Sequence, residues 1–197
     1  MLNDPIILFG LQTNCLELSS FVLSVITVGL NIRQLHWAWL FSILSSALYA
    51  VVFFDARLYG DMGLQFVFIG VSVWGWLLWL RGDDQSAALP VSRLGAQGSR
   101  QALVACLLAF VALAVFLKYC TDTDVPYADG LLTAGSLLGQ VLLSRKKIEN
   151  WHVWIIVDVL YVGLYMYKGL MLTAVLYGIF VVMAIMGLRA WSKACPQ

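Results

Sequence analysis

Residues 32–55, IRQLHWAWLFSILSSALYAVVFFD, and residues 144–167, SRKKIENWHVWIIVDVLYVGLYMY, decide the fold, because the second stretch repeats the first at a constant offset of 112. The offset sets Arg33 on Arg145, Trp39 on Trp151, Ile43 on Ile155 and Leu48-Tyr49 on Leu160-Tyr161. Extended outward without a gap, it sets Glu17 on Asp129, Ser24 on Ser136, Leu30 on Leu142 and Leu58 on Leu170. Further on it sets Leu64 on Leu176, Phe68 on Phe180, Gly75 on Gly187 and Trp79 on Trp191. Twelve of the 64 positions from 17 to 80 are identical, where so apolar a composition gives about five by coincidence. A duplicated three-helix unit joined by one extra helix is a plan that transporters use.

The 197 residues are 61% hydrophobic and 12% charged, with a mean hydropathy of +0.86. That balance excludes a water-soluble domain and predicts an all-α polytopic membrane protein. Apolar stretches run over 14–32, 37–54, 61–80, 101–118, 127–144, 151–167 and 170–191, each near the ~20 residues a helix needs to cross the hydrocarbon. None shows the strict alternation of a barrel strand. Seven transmembrane helices in a 3+1+3 parallel repeat follow.

Charge sets the expected orientation, since short loops rich in Lys and Arg stay cytoplasmic. One side holds Arg33, Arg81, Arg93, Arg100, Arg145, Lys146, Lys147, Arg189 and Lys193, and the other only Arg57, Lys118 and Lys168. The N-terminus is therefore expected outside and the C-terminus in the cytoplasm. A net charge of +1 gives no reason to expect nucleic acid. Residues 1–13 lack the charged n-region and small-residue cleavage site of a signal peptide, so the first helix is expected to be retained. Cys15, Cys106, Cys120 and Cys195 make no C-x-x-C pair, and His36 and His152 lie near helix ends. Neither a metal nor a cofactor is expected.

Residues 81–100, RGDDQSAALPVSRLGAQGSR, break the apolar pattern and read as a cytoplasmic linker. They separate a first triple-helix bundle, 14–80, from an inversion helix, 101–118, and a second bundle, 127–191. A three-helix unit crosses the membrane an odd number of times. One inverting helix therefore lets both copies sit the same way up.

On the sixth stretch, Trp151, Trp154, Asp158, Tyr161 and Tyr165 recur three or four apart, which puts two Trp, one Asp and two Tyr on one helix face. Asp158 lies about 10 Å in from Trp151 at 1.5 Å per residue. An ionisable group at that depth costs roughly 3 kcal/mol and usually faces a pathway or a partner. The equivalent face of the first copy reads Trp39, Ser42, Ser46 and Tyr49, so the acid is replaced by Ser46 and the site is asymmetric. Gln65 stands where the second copy has Tyr177, and Ser72 and Gln140 add uncharged polar groups at membrane depth. Aromatic faces with one acid suit a flat, cationic solute, held by stacking and cation-π attraction. There is no phosphate-binding G-x-x-x-x-G-K-[ST] loop and no Ser/His/Asp constellation, so an enzyme is not expected. The acid leaves proton- or sodium-coupled transport open.

The segment Arg145-Lys-Lys-Ile-Glu149-Asn150-Trp151-His-Val-Trp154-Ile-Ile-Val-Asp158, followed by Leu164-Tyr165-Met-Tyr167-Lys168-Gly169-Leu170, resembles the PnuC family of vitamin transporters. So do Leu58-Tyr59-Gly60-Asp61, Gln65 and Trp74-Gly75-Trp76. The resemblance implies a fold similar to SWEET sugar transporters, assembly as a homotrimer in the bacterial inner membrane, and facilitated diffusion of nicotinamide riboside. It implies trapping of that solute by a cytoplasmic kinase, with thiamine or another nucleoside-like vitamin as the rival substrate. It also implies that Trp151, Trp154 and Asp158 line the central site with Gln65. Many nicotinamide riboside carriers that this chain resembles have Asn at the position of Asp158, and several have Asn at that of Ser72. Together with the helix-face reading, the expected substrate-binding set is Trp151, Trp154, Asp158, Tyr161, Gln65, Ser72, Ser46, Tyr49, Gln140 and Tyr177.

Overall fold

The computed structural model describes residues 5–8, 11–55, 59–81, 89–121, 123–167, 169 and 171–195, with side chains for 19, 21–51, 62–81, 89–121, 123–167, 169, 171 and 173–195. The side chains of Cys15, Glu17, Arg57, Leu58, Asp61, Lys168 and Leu170, singled out above, lie outside the described residues.

Among the described residues seven α-helices form the body: α1 (Cys15–Ile32), α2 (Trp37–Asp55), α3 (Tyr59–Arg81), α4 (Ala96–Cys120), α5 (Pro126–Ser144), α6 (Glu149–Tyr167) and α7 (Met171–Ala194). Ahead of them β1 (Pro5–Leu8) and β2 (Leu11–Asn14) pair antiparallel, Pro5 opposite Asn14 and Leu8 opposite Leu11. The apolar pattern did not signal this hairpin. The fourth helix is longer than the expected 101–118, because Gly95 caps it and 96–100 already form its first turn. The polar Gln97, Ser99 and Arg100 that marked 81–100 as a linker throughout are tolerated there, since a helix end outside the hydrocarbon keeps its side chains in water.

Met62–Arg81, Ala96–Cys120 and Thr173–Ala194 are long and apolar enough to cross a bilayer by length and composition, whereas Phe21–Ile32 and Trp37–Val51 are shorter apolar runs. α5 and α6 carry buried Ser136, Gln140 and Asp158 instead of a uniform apolar surface. These helices turn polar groups inward, which only a protein-lined interior permits.

Packing follows the repeat. α1 packs on α2, α2 on α3, α3 on α5, α5 on α6, α6 on α7, and α7 back on α1, closing a ring of six helices. The two contacts between copies, α3 with α5 and α7 with α1, exchange under the offset of 112, so the copies are related by an axis running through the ring. α4 stands outside against α5, with Ala114 pressed close to Gly130. Its Leu107, Leu108, Val111 and Val115 are exposed, an apolar face suited to lipid.

Local geometry repeats as well. α1 ends with Gln34 at φ 57° and α5 with Lys146 at φ 48°, the left-handed C-terminal position. Leu35 N donates to Leu30 O at 2.9 Å and Lys147 N to Leu142 O at 2.9 Å. Both turns then feed the next helix, where Trp39 N reaches His36 O at 3.1 Å and Trp151 N reaches Ile148 O at 3.0 Å.

The core sits at this end of the ring and is built from Trp39, Trp79, Trp151 and Trp191. Trp39 meets Trp79 edge to face at 5.4 Å and 88°, Trp151 meets Trp191 at 5.4 Å and 89°, and Trp79 meets Trp191 at 6.2 Å. Close approach requires glycine twice: a Cβ on Gly75 would come within 2.6 Å of the Trp39 ring, and one on Gly187 within 2.6 Å of the Trp151 ring. Residues 89–95, from the far end of the linker, cross beneath the cluster. Leu89 and Val91 pack on it, Ser92 N donates to Lys146 O at 3.1 Å, and Ile148 N donates to Ser92 O at 3.0 Å. Lys146 lies over the Trp79 ring at 4.6 Å and donates to Gln34 Oε1 at 3.4 Å. Burial in this turn lowers its pKa below the usual lysine range.

Candidate functional site

The ring encloses a cavity of about 1290 Å³ that runs from Thr121 and Thr123 in the α4–α5 link to Asn31, Leu143 and Trp151 above the tryptophan core. Every helix of the ring contributes to its wall, as does the far end of α4 through Leu113 and Phe116.

α6 supplies the most distinctive part. Its period of 3.6 brings Trp151, Trp154, Asp158, Tyr161 and Tyr165 into the wall as one stripe. Tyr177 of α7 joins them, 4.5 Å from the Tyr161 ring and 5.2 Å from Tyr165, which itself stacks on Tyr161 at 5.7 Å and 16°. Phe180 closes the group edge-on to Tyr177 at 5.6 Å. The second copy thus presents a continuous aromatic surface with Asp158 set into it. Asp158 is only 4% exposed. Among the described residues no Lys or Arg lines the cavity, while Asp129, which accepts a hydrogen bond from Thr123, adds a second carboxylate nearer the α4–α5 link.

The first copy offers smaller groups. Ser42, Ser45, Ser46 and Tyr49 of α2, Gln65 of α3, and Ser24 and Thr27 of α1 line the opposite wall. One of the expected residues does not reach the cavity surface: Ser72 is fully buried in α3, within 3.0 Å of Ser42 Oγ, and accepts from Gln140 Nε2 at 3.3 Å. It couples two wall residues across the α3–α5 seam, because α3 turns this position toward α5. The other nine, Trp151, Trp154, Asp158, Tyr161, Gln65, Ser46, Tyr49, Gln140 and Tyr177, all line the cavity. Trp151 does so only by an edge, since it is 2% exposed within the tryptophan core.

Sequence reasoning passed over Asn31, Asp129, Thr133, Ser136 and Thr173, which also line the cavity. Asp129 could have been found, because the offset pairs it with Glu17. The isolated Ser, Thr and Asn carry no such signal, being common in the close packing of membrane helices. Among the described residues no cluster of His, Cys, Asp or Glu is arranged to hold a metal.

A polar, ring-lined chamber enclosed by a duplicated, externally apolar helical ring defines a polytopic membrane transporter. The family model described as nicotinamide mononucleotide transporter matches residues 14–193, and the chain belongs to that family, the family of the PnuC proteins. The riboflavin/roseoflavin transporter RibM of Streptomyces davaonensis is 28% identical over 192 residues, covering 96% of this chain and 90% of that protein. The nicotinamide riboside transporter PnuC of Escherichia coli is 23% identical over 222 residues, covering 100% of this chain and 93% of that protein. The crystal structure of the vitamin B3 transporter PnuC matches with a TM-score of 0.71 at 22% identity, over 89% of this chain and 79% of that one. That likeness is one of fold.

Proposed function

We propose that the chain is a facilitative carrier of nicotinamide riboside in the bacterial inner membrane, with the N-terminus outside and the tryptophan end in the cytoplasm. The two copies rock about the cavity, the solute equilibrates, and a cytoplasmic kinase traps it by phosphorylation. The protein works as a homotrimer in this reading. The observation that carries the choice of solute is the charge of the wall: among the described residues it holds two carboxylates and neither Lys nor Arg. A buried carboxylate without a cation beside it is costly, and a pyridinium ring seated on the tyrosine and Trp154 faces supplies that cation. Ser46, Gln65 and Gln140 supply hydrogen bonds for the sugar hydroxyls and the amide.

Riboflavin is the second reading, favoured by the higher identity to RibM. Its isoalloxazine ring is flat but uncharged at neutral pH and leaves Asp158 uncompensated. Thiamine, a ring cation without a sugar, is the third solute to compare. Calorimetric titration of purified protein with all three is expected to rank nicotinamide riboside first. Tighter binding of riboflavin or thiamine by tenfold or more overturns the assignment. Liposomes that concentrate the solute only under an imposed proton or sodium gradient overturn facilitated diffusion in favour of coupled transport.

A further inference from the structure

The tryptophan end contains two hydrogen bonds that cross between the copies and map onto each other. Trp79 Nε1 of α3 donates to Ser144 O of α5 at 3.1 Å. Trp191 Nε1 of α7 donates to Ile32 O of α1 at 3.3 Å and to Asn31 O at 3.2 Å. Adding 112 to Trp79 gives Trp191, and adding 112 to Ile32 gives Ser144. Each bond spans one of the two seams along which the copies meet, at a carbonyl in the last turn of a helix, and Asn31 O also accepts from Gln34 N at 3.0 Å.

We infer that Trp79 and Trp191 are paired latch residues, whose indole N–H groups hold this end of the pathway shut and release together when it opens. The inference extends the carrier reading, which treats the copies as moving bodies, by naming the contacts that must break. A second observation supports it. Trp39 Nε1, Trp76 Nε1, Trp151 Nε1, Asn31 Oδ1, Asn150 Oδ1 and Glu149 Oε2 are buried without a hydrogen-bond partner among the described residues. All six lie at the tryptophan end of their helices. Unpaired buried polar groups oppose burial because opening returns them to water. Shutting this end therefore strands six polar atoms, a cost that opposes the tryptophan packing and the two latches that favour closure. Trp39 and Trp151, which meet the latch indoles edge to face, are themselves equivalent under the offset, and neither Nε1 has a hydrogen-bond partner among the described residues.

Phenylalanine keeps most of the ring and removes the donor. The test uses the full chain with its four cysteines replaced by alanine and Ala184→Cys as reporter, since Ala184 is 2% exposed at the cavity floor. The reporter is labelled in sealed vesicles by a membrane-impermeant maleimide applied from the face that carries the C-terminus. Trp79→Phe and Trp191→Phe are each expected to raise that rate about fivefold, the equilibrium effect of one net hydrogen bond. The double variant should exceed either alone. Rates within twofold of the parent in all three variants, with solute binding retained, overturn the latch. So does an effect at one tryptophan only.

A reading that needs no substitution at the tryptophans guards against misfolding. In the unaltered protein carrying ¹⁵N-tryptophan, the Trp79 and Trp191 indole protons are expected to exchange with solvent at a common rate. Rates more than tenfold apart overturn the pairing. Labelling does not require net solute movement, so the two readings fail separately. Unchanged labelling in a protein that still carries solute sinks the latch alone. Raised labelling in a protein that carries no solute into liposomes sinks the carrier and keeps the latch.

Discussion

The two copies of the three-helix unit agree at one end of the molecule and part company in the middle. At the tryptophan end the helix-ending turns, the tryptophan pairs and one indole hydrogen bond per seam match. Trp39 on Trp79 and Trp151 on Trp191 share a spacing of 5.4 Å, and Gln34 and Lys146 share the same left-handed turn. Two turns deeper, Ser42 faces Trp154 across the offset, Ser46 faces Asp158, and Gln65 faces Tyr177. The difference separates two demands. Closing a pathway between two moving halves favours matched surfaces, whereas holding one small, lopsided solute favours unlike walls. Duplication supplied a symmetric frame, and the chemistry lies where the symmetry is broken.

The largest effect that this contrast predicts falls on its most unequal pair. Asp158→Asn keeps the size and removes the charge, leaving a buried cation without its counter-ion. Affinity for nicotinamide riboside is expected to fall about 100-fold, measured by calorimetry, with little change for an uncharged analogue of the ring. Ser46→Ala at the equivalent position of the first copy removes one neutral hydrogen bond, expected to cost about fivefold or less. Equal losses at the two positions would mean that the walls are functionally alike, and the cationic solute would have to be abandoned.

A smaller effect is expected from the aromatic wall. Trp154→Ala should weaken binding about tenfold by removing a stacking face, while Ser42→Ala, its counterpart, should change it far less. Quenching of tryptophan fluorescence by the solute in the native protein, lost in Trp154→Ala, is the accompanying signal. A solute that still quenches fully in the variant does not sit on this ring.

Much of this frame could be read from composition and spacing. Hydrophobicity and length predicted the helices to within a few residues, because bilayer thickness leaves little freedom in where an apolar span ends. The offset of 112 predicted two like halves, and the structure shows why Gly75 and Gly187 recur, since each backbone must admit a tryptophan ring. The α6 stripe was legible because helical period alone puts 151, 154, 158, 161 and 165 on one face. Three features were not. The β1–β2 hairpin depends on pairing between two short segments that have no helical or membrane-length period. The burial of Ser72 depends on which way α3 rotates against α5, and Ser offers no amphipathic signal to set that rotation. Val91 and Ser92 lie in a stretch whose Pro, Gly and charge read as solvent-exposed linker, yet the segment docks on a core formed by residues far away in the chain.

At the matched end the comparison predicts equality. Gly75→Ala and Gly187→Ala each drive a methyl group into a tryptophan ring held in the same packing, and each is expected to lower stability by about 1–3 kcal/mol. Thermal unfolding in detergent should show two shifts of similar size. A shift confined to one variant would show that the cluster is matched in geometry but not in energy, and that one copy carries the closure.

The smallest effect concerns a place where this end is not symmetric in charge, Gln34 against Lys146. Burial over the Trp79 ring outweighs the attraction between the ammonium and the ring face, so the folded pKa lies below the usual lysine value of 10.5. In the unfolded chain the group keeps its proton up to about 10.5, so the unfolded state binds more protons throughout the interval between the lowered pKa and that value. Stability referred to this group therefore rises with pH across the interval and is flat below it. Lys146→Gln places the residue of the first copy in the second and removes the titration. The melting temperature of the native protein relative to that variant is expected to climb as pH is raised toward 10.5. A difference that falls with pH would mean that the charged form is favoured in the fold, and that the ammonium over Trp79 helps to hold the end shut instead of opposing it.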